Sequence, residues 1–484
     1  MPKYIPTIGL EVHAQLNTDS KMFCACPARY GEPPNSLTCP VCLGFPGALP
    51  VLNRGAIEKT ILTGLMLGCE IPEISKWDRK NYFYPDMPKN YQISQFDEPL
   101  CVGGGVPLYD LAYPKDAQKS IANPGKTVKL TRIHLEEDVA KSTHHAQSTT
   151  IDFNRAGTPL MEIVSDPDIE SAEEAAAYLN SLRQILVYGG VSNADMEKGQ
   201  MRCDVNISVR PEGQEELGAK IELKNLNSVS AIRRAIHHEI DRQIGELEEG
   251  KTLKQSTWRW DDDAGETTEM RSKEDADDYR YFPDPDLLPV KTPEIVEKVR
   301  PLVPELPHQK EARFVSDFQV SEYAASVLAS SQLLANYFEE AASGSDHPKK
   351  VANWVINNLL GILNERVLEI ENCPVSSEQL RQLVDLVESG KVSNNQGMEV
   401  LTALFDDPSK SPEETAKDLG FEPADESEIE GIVDQVIADN PDPVAEIRGG
   451  NAKAIGFLVG QVMKLGKGKA NPKVVSELLR SKIG

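Results

Sequence analysis

TIGLEVHAQL, residues 7–16, alternates apolar and polar side chains from Leu10 onward. This alternation predicts a β-strand, because successive side chains of a strand point to opposite faces. Glu11, His13 and Gln15 then share one face, and the apolar residues between them share the other. Glu11 and His13 would lie about 7 Å apart, side by side.

Two further segments alternate in the same way, at residues 200–210 and 219–226. Their polar positions are Arg202, Asp204, Asn206, Ser208, Lys220, Glu222 and Lys224. Each polar face taken singly could simply be solvated, because antiparallel sheets often expose one face to water. The three segments predict strands in the first half of the chain.

Several carboxylates stand inside apolar runs. Glu162 lies within PLMEIV, residues 159–164, and Glu136-Glu137-Asp138 follows Ile-His-Leu at residues 133–135. A buried carboxylate needs a cation or hydrogen-bond donors. If these groups converge, they would form a hard-cation site that holds Mg²⁺ against nucleotide phosphates, with His13 as a less usual nitrogen ligand.

The order of elements predicts the domain organisation. Ser171 can cap a helix over residues 172–188 that two glycines end, and Ser228 or Ser230 can cap a second helix toward Gly250. After about residue 293, nearly every segment has helical periodicity.

The acidic stretch 401–446, divided by prolines, is typical of a solvated hinge before a small helical domain. We therefore predict an α+β protein with a mixed sheet at 1–295, an all-α domain at 296–408 and a small α-helical tail domain at 409–484.

Composition excludes some classes of protein. The 484 residues exceed one compact core. We find no basic segment before an apolar stretch at the N-terminus and no apolar run of about 18 residues, so we expect no membrane contact and a cytoplasmic location.

A net charge of −25 argues against indiscriminate binding to nucleic acid. Basic charge is nevertheless concentrated after residue 447, where Glu477 is the one acidic residue. The basic residues there are Arg448, Lys453, Lys464, Lys467, Lys469, Lys473, Arg480 and Lys482. They could bind RNA locally, or they could merely solvate a small domain.

Four cysteines form two close pairs, Cys24 with Cys26 and Cys39 with Cys42. This spacing is typical of a tetrahedral zinc site within a loop, which we place at residues 24–42. Four buried cysteines without a metal are the alternative. A complete shell of four thiolates would make the zinc structural, because no position stays open for a substrate.

Aromatic and basic residues interleave in DRKNYFYPDMPKNYQ, residues 78–92. Such a stretch could stack a nucleotide base on a ring and bind phosphates, with Lys80, Tyr82 and Tyr84 as the candidate ATP contacts. A packed aromatic cluster is the alternative.

These segments carry a resemblance to a known family. The motifs are IGLEVHAQL, DRKNYFYPDMPKNYQISQ, HLEEDVAKS, FNRAGTPLMEIVSDPD, MRCDVNISVRP, ELKNLNS, DDYRYFPDPDL and GFLVGQVMK. The chain resembles the B subunits of the tRNA-dependent aspartyl/glutamyl-tRNA amidotransferases over nearly its whole length. The resemblance implies a cradle-shaped N-terminal domain followed by helical and tail domains that bind tRNA. It also implies ATP-dependent phosphorylation of the side-chain carboxylate of misacylated Glu-tRNA(Gln) or Asp-tRNA(Asn), followed by amidation with ammonia.

The resemblance also implies site residues. The family's magnesium ligands fall on Glu11, His13, Glu137, Glu162, Asp204 and Glu222, and Lys89 with Glu137 matches the mouth of its ammonia tunnel. Strand alternation disagrees at one position, since it places Glu136 rather than Glu137 on the face of His134. We follow the resemblance and expect the motif to leave the strand at Glu137.

The implied partners are the family's glutaminase and its small third component, in a heterotrimer with misacylated tRNA(Gln) or tRNA(Asn) as substrate. No glutaminase signature occurs in this sequence, so ammonia must come from another chain. The short passage at 286–294 leaves no room for the insertion of the related archaeal type. The alternative is a zinc-ribbon scaffold that binds RNA without chemistry, and only the enzyme requires the carboxylates to converge.

Overall fold

The computed structural model describes residues 4–123, 125–272, 279–421, 426–448, 455–466 and 472–483. It divides the chain into two compact units, Met1–Leu306 and Pro307–Gly484. None of the helices in these ranges is both long enough and apolar enough to cross a membrane.

The first unit contains most of the β-structure. Its strands are β1 (Tyr4–Gln15), β2 (Ile74–Ser75), β3 (Asp78–Asn81), β4 (Tyr91–Ser94), β5 (Cys101–Val102), β6 (Gly105–Pro107), β7 (Thr127–Glu137), β8 (Lys141–His144), β9 (Thr149–Asp152), β10 (Pro159–Ser165), β11 (Met201–Pro211), β12 (Ile221–Lys224), β13 (Ser256–Asp261), β14 (Glu266–Ser272), β15 (Phe282–Pro283) and β16 (Val290–Lys291). Its α-helices are α1 (Arg54–Met66), α2 (Ala172–Tyr188), α3 (Val229–Glu248) and α4 (Pro293–Val299).

The main sheet has nine strands in the order β14-β13-β12-β11-β1-β10-β7-β5, with β6 also paired to β7. All of its pairings are antiparallel except that of β12 with β13, which is parallel. The sheet is therefore mixed, as the sequence predicted. β1 lies between β10 and β11, which places the TIGLEVHAQL segment at the centre of the sheet.

Alternation in β1 separates a core face from a polar face. Leu10 and Val12 are completely buried and belong to the same apolar cluster as Ile61 of α1, Leu179 of α2 and Ile232 of α3. Burying a side chain of this size stabilises the fold by about 1.5–3 kcal/mol. Since one face of the sheet is covered in this way, the strands' polar residues are collected on the other face.

Both long helices of the first unit begin where capping predicts. The Ser171 hydroxyl accepts a hydrogen bond from the backbone N–H of Glu174, and α2 runs to Tyr188 with Gly189 at its C-cap. Ser228, rather than Ser230, caps α3 through the N–H of Ala231. Such a cap contributes about 1 kcal/mol.

The second unit is helical throughout its described residues. Its helices are α5 (Pro307–Asp317), α6 (Glu322–Leu328), α7 (Gln332–Ala342), α8 (Pro348–Trp354), α9 (Leu360–Glu365), α10 (Ser377–Glu388), α11 (Asn394–Asp406), α12 (Pro412–Asp418), α13 (Glu426–Asp439), α14 (Pro441–Arg448), α15 (Ile455–Leu465) and α16 (Pro472–Ile483). A π-helical turn, Val355–Leu359, joins α8 to α9. One apolar cluster surrounds Phe314 and Phe338, and a separate one contains Val433, Leu458 and Leu479.

The expected hinge at 401–446 is wrong for its first half. Leu401, Leu404 and Ala416 are buried in the cluster of Phe314, so α11 and α12 are packed helices rather than solvated linkers. Acidic residues there face solvent or cap helices, as Glu414 does at Ser411, and so they do not prevent packing.

Helix α4, with which the predicted run of helices begins, packs in the first unit through Val299. The three domain ranges stay a prediction. Of the residues singled out in the sequence, Asp277, Asp278, Lys453, Lys467 and Lys469 lie outside the described residues.

Candidate catalytic site

The centre of the polar face is a row of side chains across neighbouring strands. Strand pairing sets His13 opposite Glu162, and Glu162 opposite His134 of β7. Glu162 Oε2 lies 3.2 Å from His13 Nε2 and 3.3 Å from His134 Nε2. On the other side of His13, Arg202 of β11 continues the row.

The row favours charged forms. Burial raises the pKa of the Glu162 carboxyl, but the charge of His134 and hydrogen bonds from His13 and His134 bring it well below its ordinary value. Burial lowers the pKa of His13, but its hydrogen bond to Glu162 and the nearby carboxylates raise it overall. Glu162 is therefore an anion at neutral pH, and it could accept a hydrogen bond from a protonated imidazole or coordinate a metal ion.

Glu136 completes a possible metal site. One ligand atom from each of His13, Glu136 and Glu162 can be chosen so that all lie within 4.8 Å of one another. The Ser94 hydroxyl donates a hydrogen bond of 3.0 Å to Glu136 Oε2 and orients this carboxylate. An imidazole and two carboxylates suit a divalent cation such as Mg²⁺ or Mn²⁺, although nitrogen ligation is less usual for magnesium.

Glu137 lies elsewhere. β7 includes Glu137, so the expectation that the motif leaves the strand at this residue is wrong. Because side chains alternate along a strand, Glu137 points away from the face that carries Glu136. Lys89 Nζ donates to Glu137 Oε1, and the backbone N–H of Ile93 donates to the same oxygen at 3.0 Å.

A second group of carboxylates lies beside the row. Glu11 is directly opposite Asp204, and Glu222 lies on β12 opposite Asn206. Lys224 Nζ is 2.9 Å from Asp204 Oδ2 and 2.9 Å from Glu222 Oε1.

Lys224 binds this group tightly. Burial lowers the pKa of Lys224, but the charges of Asp204 and Glu222 raise it overall. The Lys224 ammonium thus neutralises two carboxylates that a divalent cation could also share. A cation that uses both carboxylates must displace this ammonium.

Asp138 anchors the third part of the face. Its carboxylate is 1% exposed and accepts hydrogen bonds from Gln15 Nε2 at 2.7 Å and Arg202 Nη2 at 2.9 Å. Burial raises the pKa of Asp138, but Arg202 and Arg155 bring it below its ordinary value. Asp138 thus holds the Arg202 guanidinium next to His13. Sequence reasoning considered Asp138 only as a possible cation ligand and gave no role to Arg202 or His134, although the alternation that selected Asp204 and Glu136 also selects Arg202 and His134.

The aromatic and basic stretch at residues 78–92 supports both earlier interpretations in part, ATP contacts and a packed aromatic cluster. Lys80 Nζ lies 4.9 Å from the centre of the Tyr279 ring, whose centroid is 6.1 Å from that of Tyr82. Burial lowers the pKa of Lys80, but the charge of Glu136 is the chief cause that raises it overall. Lys80 therefore faces the carboxylates and Tyr82 belongs to an aromatic cluster, whereas Tyr84 is exposed.

The four cysteines of the predicted zinc loop converge. The Sγ atoms of Cys24, Cys26, Cys39 and Cys42 all lie within 4.8 Å of one another, and those of Cys39 and Cys42 are 3.9 Å apart. Thiolates about 2.3 Å from a tetrahedral zinc would lie about 3.8 Å apart, so the set fits this metal. The hydrogen bond from Cys24 is the largest cause that lowers the pKa of Cys42 to about 4, and Lys21 adds to it.

The residues just after the cysteine loop pack against Lys89. Gly44 has φ +69°, and a Cβ at this residue would lie 2.8 Å from Lys89 Cγ and 3.0 Å from its Cα. The turn that directly follows the cysteine loop is therefore in contact with Lys89 of the Lys89–Glu137 pair.

Comparison with known proteins gives the class first. A family model described as the GatB/GatE catalytic domain matches residues 6–297, and another described as the GatB domain matches residues 336–483. The mixed sheet with its carboxylate-lined face is thus the catalytic domain of one component of an amidotransferase.

Curated relatives are similar along the whole chain, and each is named as the B subunit of an aspartyl/glutamyl-tRNA(Asn/Gln) amidotransferase. The one from Methylacidiphilum infernorum is 52% identical over 479 residues, 98% of both chains. The one from Persephonella marina is 48% identical over 481 residues, 99% of both chains. The one from Carboxydothermus hydrogenoformans is 46% identical over 490 residues, 100% of this chain and 99% of the relative. The chain belongs to the family of B subunits of the aspartyl/glutamyl-tRNA(Asn/Gln) amidotransferases, which confirms the resemblance.

Proposed function

We propose that this chain is the ligase component that activates the side-chain carboxylate of misacylated Glu-tRNA(Gln) or Asp-tRNA(Asn) with ATP and then amidates it. A carboxylate oxygen of the aminoacyl group attacks the γ-phosphorus, ADP leaves, and an acyl phosphate forms. Ammonia then attacks the acyl carbon and inorganic phosphate leaves with that oxygen. The observation that carries this proposal is the convergence of five of the expected ligands on one face of the sheet.

The expected magnesium ligands are Glu11, His13, Glu137, Glu162, Asp204 and Glu222. The geometry favours Glu136 in place of Glu137, because Glu136 lies with His13 and Glu162 whereas Glu137 pairs with Lys89. Magnesium bound there would neutralise the charge of the ATP phosphates. Carboxylates on rigid neighbouring strands suit this role, since they need little rearrangement to hold a cation.

The protein's own cations complete the electrostatics. Lys80 is half-buried and faces Glu136, so it is the candidate contact for a phosphate of ATP, with Tyr82 and Tyr84 as candidate contacts for the base. Arg202, fixed by Asp138, can hold an anionic oxygen of the reacting group beside His13. Lys89 and Glu137 are the candidates for the point where ammonia arrives.

The remaining assignments concern metals and partners. Zinc at the four cysteines would stabilise the loop that precedes the Lys89 contact at Gly44, and would take no part in the chemistry. A separate glutaminase chain supplies ammonia, a small third chain completes a cytoplasmic heterotrimer, and the helical and tail domains bind tRNA. The convergence of carboxylates favours this enzyme over an RNA-binding scaffold without chemistry.

The test is a reconstituted complex supplied with glutamine and each misacylated tRNA separately. We expect ADP formation that needs Mg²⁺ and is stimulated by Glu-tRNA(Gln), Asp-tRNA(Asn) or both. Correctly charged Gln-tRNA(Gln) is the matched control, because it lacks the carboxylate. ADP formation equal for misacylated and correctly charged tRNA would overturn the proposal.

A further inference from the structure

A cavity of about 740 Å³ adjoins the polar face at the end of β1. Gln15, Thr158 and Gln200 lie where it meets the sheet, and its outer wall includes Arg29, Tyr30 and Lys141. Its volume falls in the range of about 300–1,000 Å³ that is typical of small-molecule sites. We propose that this cavity binds the 3′-terminal adenosine of the tRNA substrate. The inference rests on the proposed function and adds the position of the substrate's end.

The distance to the carboxylates suits this occupant. Gln15 shares a face of β1 with His13, two residues away, which corresponds to about 7 Å along a strand. The aminoacyl group is attached to the ribose of the terminal nucleotide, and from its ester oxygen to its side-chain carboxylate an extended glutamyl group spans roughly 6 Å. A terminal nucleoside in the cavity therefore brings the reacting carboxylate to the row that contains His13 and Glu162.

The side chains of the cavity match a nucleotide. The Tyr30 ring is 66% exposed and offers a flat surface on which a base can stack. Asn17 Nδ2 donates a hydrogen bond of 2.8 Å to Asn193 Oδ1, which places two amides in the lining that can read the polar edge of a base.

Cations at the outer wall can meet an entering phosphate backbone, although four carboxylate side chains also belong to the lining of the cavity. Arg29 and Lys141 are exposed, and neither has an ion-pair partner within the part of the chain that the structure describes. Arg155 donates to the carbonyl oxygens of Val139 at 2.8 Å and Ala140 at 2.7 Å, so it is held in place beside them.

ATP also contains an adenosine, but its phosphates must lie at the carboxylates. The candidate contact for those phosphates is Lys80, which is half-buried, senses the charge of Glu136 and is not in the cavity lining. Exposed cations at the outer wall suit a chain that continues into solvent, as the penultimate nucleotides of tRNA do.

The experiment compares reconstituted complexes that contain either the wild-type chain or its Tyr30→Ala variant. Direct binding is measured for uncharged full-length tRNA and for the same tRNA without its terminal adenosine. The wild type should prefer the full-length tRNA by roughly tenfold, because one stacked base contributes about this much. Tyr30→Ala should abolish the preference, and Tyr30→Phe should retain it because the ring remains.

Two further readouts make the result decisive. The KM for ATP should be the same in wild type and Tyr30→Ala, and Lys141→Gln should lower the salt slope of full-length tRNA binding by about 0.7. A Tyr30→Ala variant that keeps the terminal-adenosine preference, or that raises the KM for ATP instead, would overturn the inference. The binding measurement needs no turnover. Loss of the terminal-adenosine preference in Tyr30→Ala therefore supports the proposed site even if the complex does not amidate tRNA. Failure to amidate would count only against the proposed function.

Discussion

Asp204→Ala should abolish most of the ATP-dependent amidation without unfolding the sheet. Asp204 lies opposite Glu11 and shares Lys224 with Glu222, so it belongs to the carboxylate group proposed to hold magnesium. Loss of one anionic ligand should remove roughly 3 kcal/mol of transition-state stabilisation, which corresponds to about a 150-fold fall in rate.

The effect on stability should be small by comparison. The Asp204 and Lys224 side chains are 25% and 36% exposed, and ion pairs near the surface contribute only about 0–1 kcal/mol. Lys224 also keeps Glu222 as its partner. The melting temperature should therefore fall by at most about 2–4 °C for a unit of this size.

The assay measures ADP and amidated tRNA in single-turnover reactions of the reconstituted complex, together with tRNA affinity and thermal unfolding. Asp263→Ala is the matched control, because Asp263 is exposed in the turn between β13 and β14. Wild-type turnover in Asp204→Ala would remove Asp204 from the site. A parallel loss of tRNA affinity would show that the residue acts in binding rather than in activation.

Four further predictions concern other parts of the molecule. Glu136→Gln should lower Mg²⁺-dependent ADP formation by about 100-fold, whereas Glu137→Gln should leave ADP formation intact and slow amidation. Equal effects of the two substitutions on ADP formation would contradict the different roles proposed for these two carboxylates. Metal analysis should find one zinc per chain. Chelation should make the cysteine loop susceptible to proteolysis before it slows the chemistry. Protein purified without chelator that contains no zinc would refute the site. Lys464→Gln with Arg480→Gln should weaken tRNA binding and lower its salt slope by up to about 0.9 per lost phosphate contact, and an unchanged slope would move the RNA surface elsewhere. Burial raises the pKa of Glu311 to about 7, so between about pH 4.5 and 7 the folded state binds a proton that the unfolded state has released. Stability should therefore fall by a few kcal/mol as the pH rises through this range, and Glu311→Gln should not show this fall. Amide exchange of α5 measures it, and equal pH dependence in the two proteins would contradict the burial argument.

The choice of neutralisation over deletion for the tail follows from packing. Leu458 and Leu479 are completely buried in the apolar cluster that contains Val433. Removing the segment after residue 447 would therefore expose part of the core and confuse lost folding with lost binding. Lys464 and Arg480 are exposed, whereas Lys482 pairs with Asp434 at 2.8 Å.

Local signals in the sequence predicted much of the fold. The Ser171 cap and the following glycines define α2, and the alternation in β1 assigns Leu10 to the core and His13 to the polar face. These features depend on neighbours in sequence, and local physical chemistry decides them.

Long-range arrangement could not be predicted in the same way. Periodicity cannot tell that β1 pairs with both β10 and β11, because partner and register depend on contacts far apart in sequence. The pairing of Asp138 with Arg202 was missed for this reason, since it arises only when β1 and β11 bring Gln15 and Arg202 to this carboxylate.

At Glu136 and Glu137, simple alternation proved the better guide to where the side chains lie. β7 stays regular to its last residue, so the period of two still applies there. The hinge expected after residue 400 failed for a different reason. Charge and proline content describe the solvent side of α11 and α12, while a few leucines and alanines on the other side decide that they pack.

The central claim is that the carboxylate face activates the side chain of misacylated tRNA by phosphorylation. It is tested most directly with Glu-tRNA(Gln) or Asp-tRNA(Asn) whose side-chain carboxylate carries ¹⁸O. Inorganic phosphate released by the complete complex with Mg-ATP and glutamine is then analysed by mass spectrometry. We predict that each amidation transfers a labelled oxygen to inorganic phosphate, because the attacking carboxylate oxygen leaves with the phosphoryl group. Amidated tRNA formed while the phosphate contains no ¹⁸O would contradict the claim.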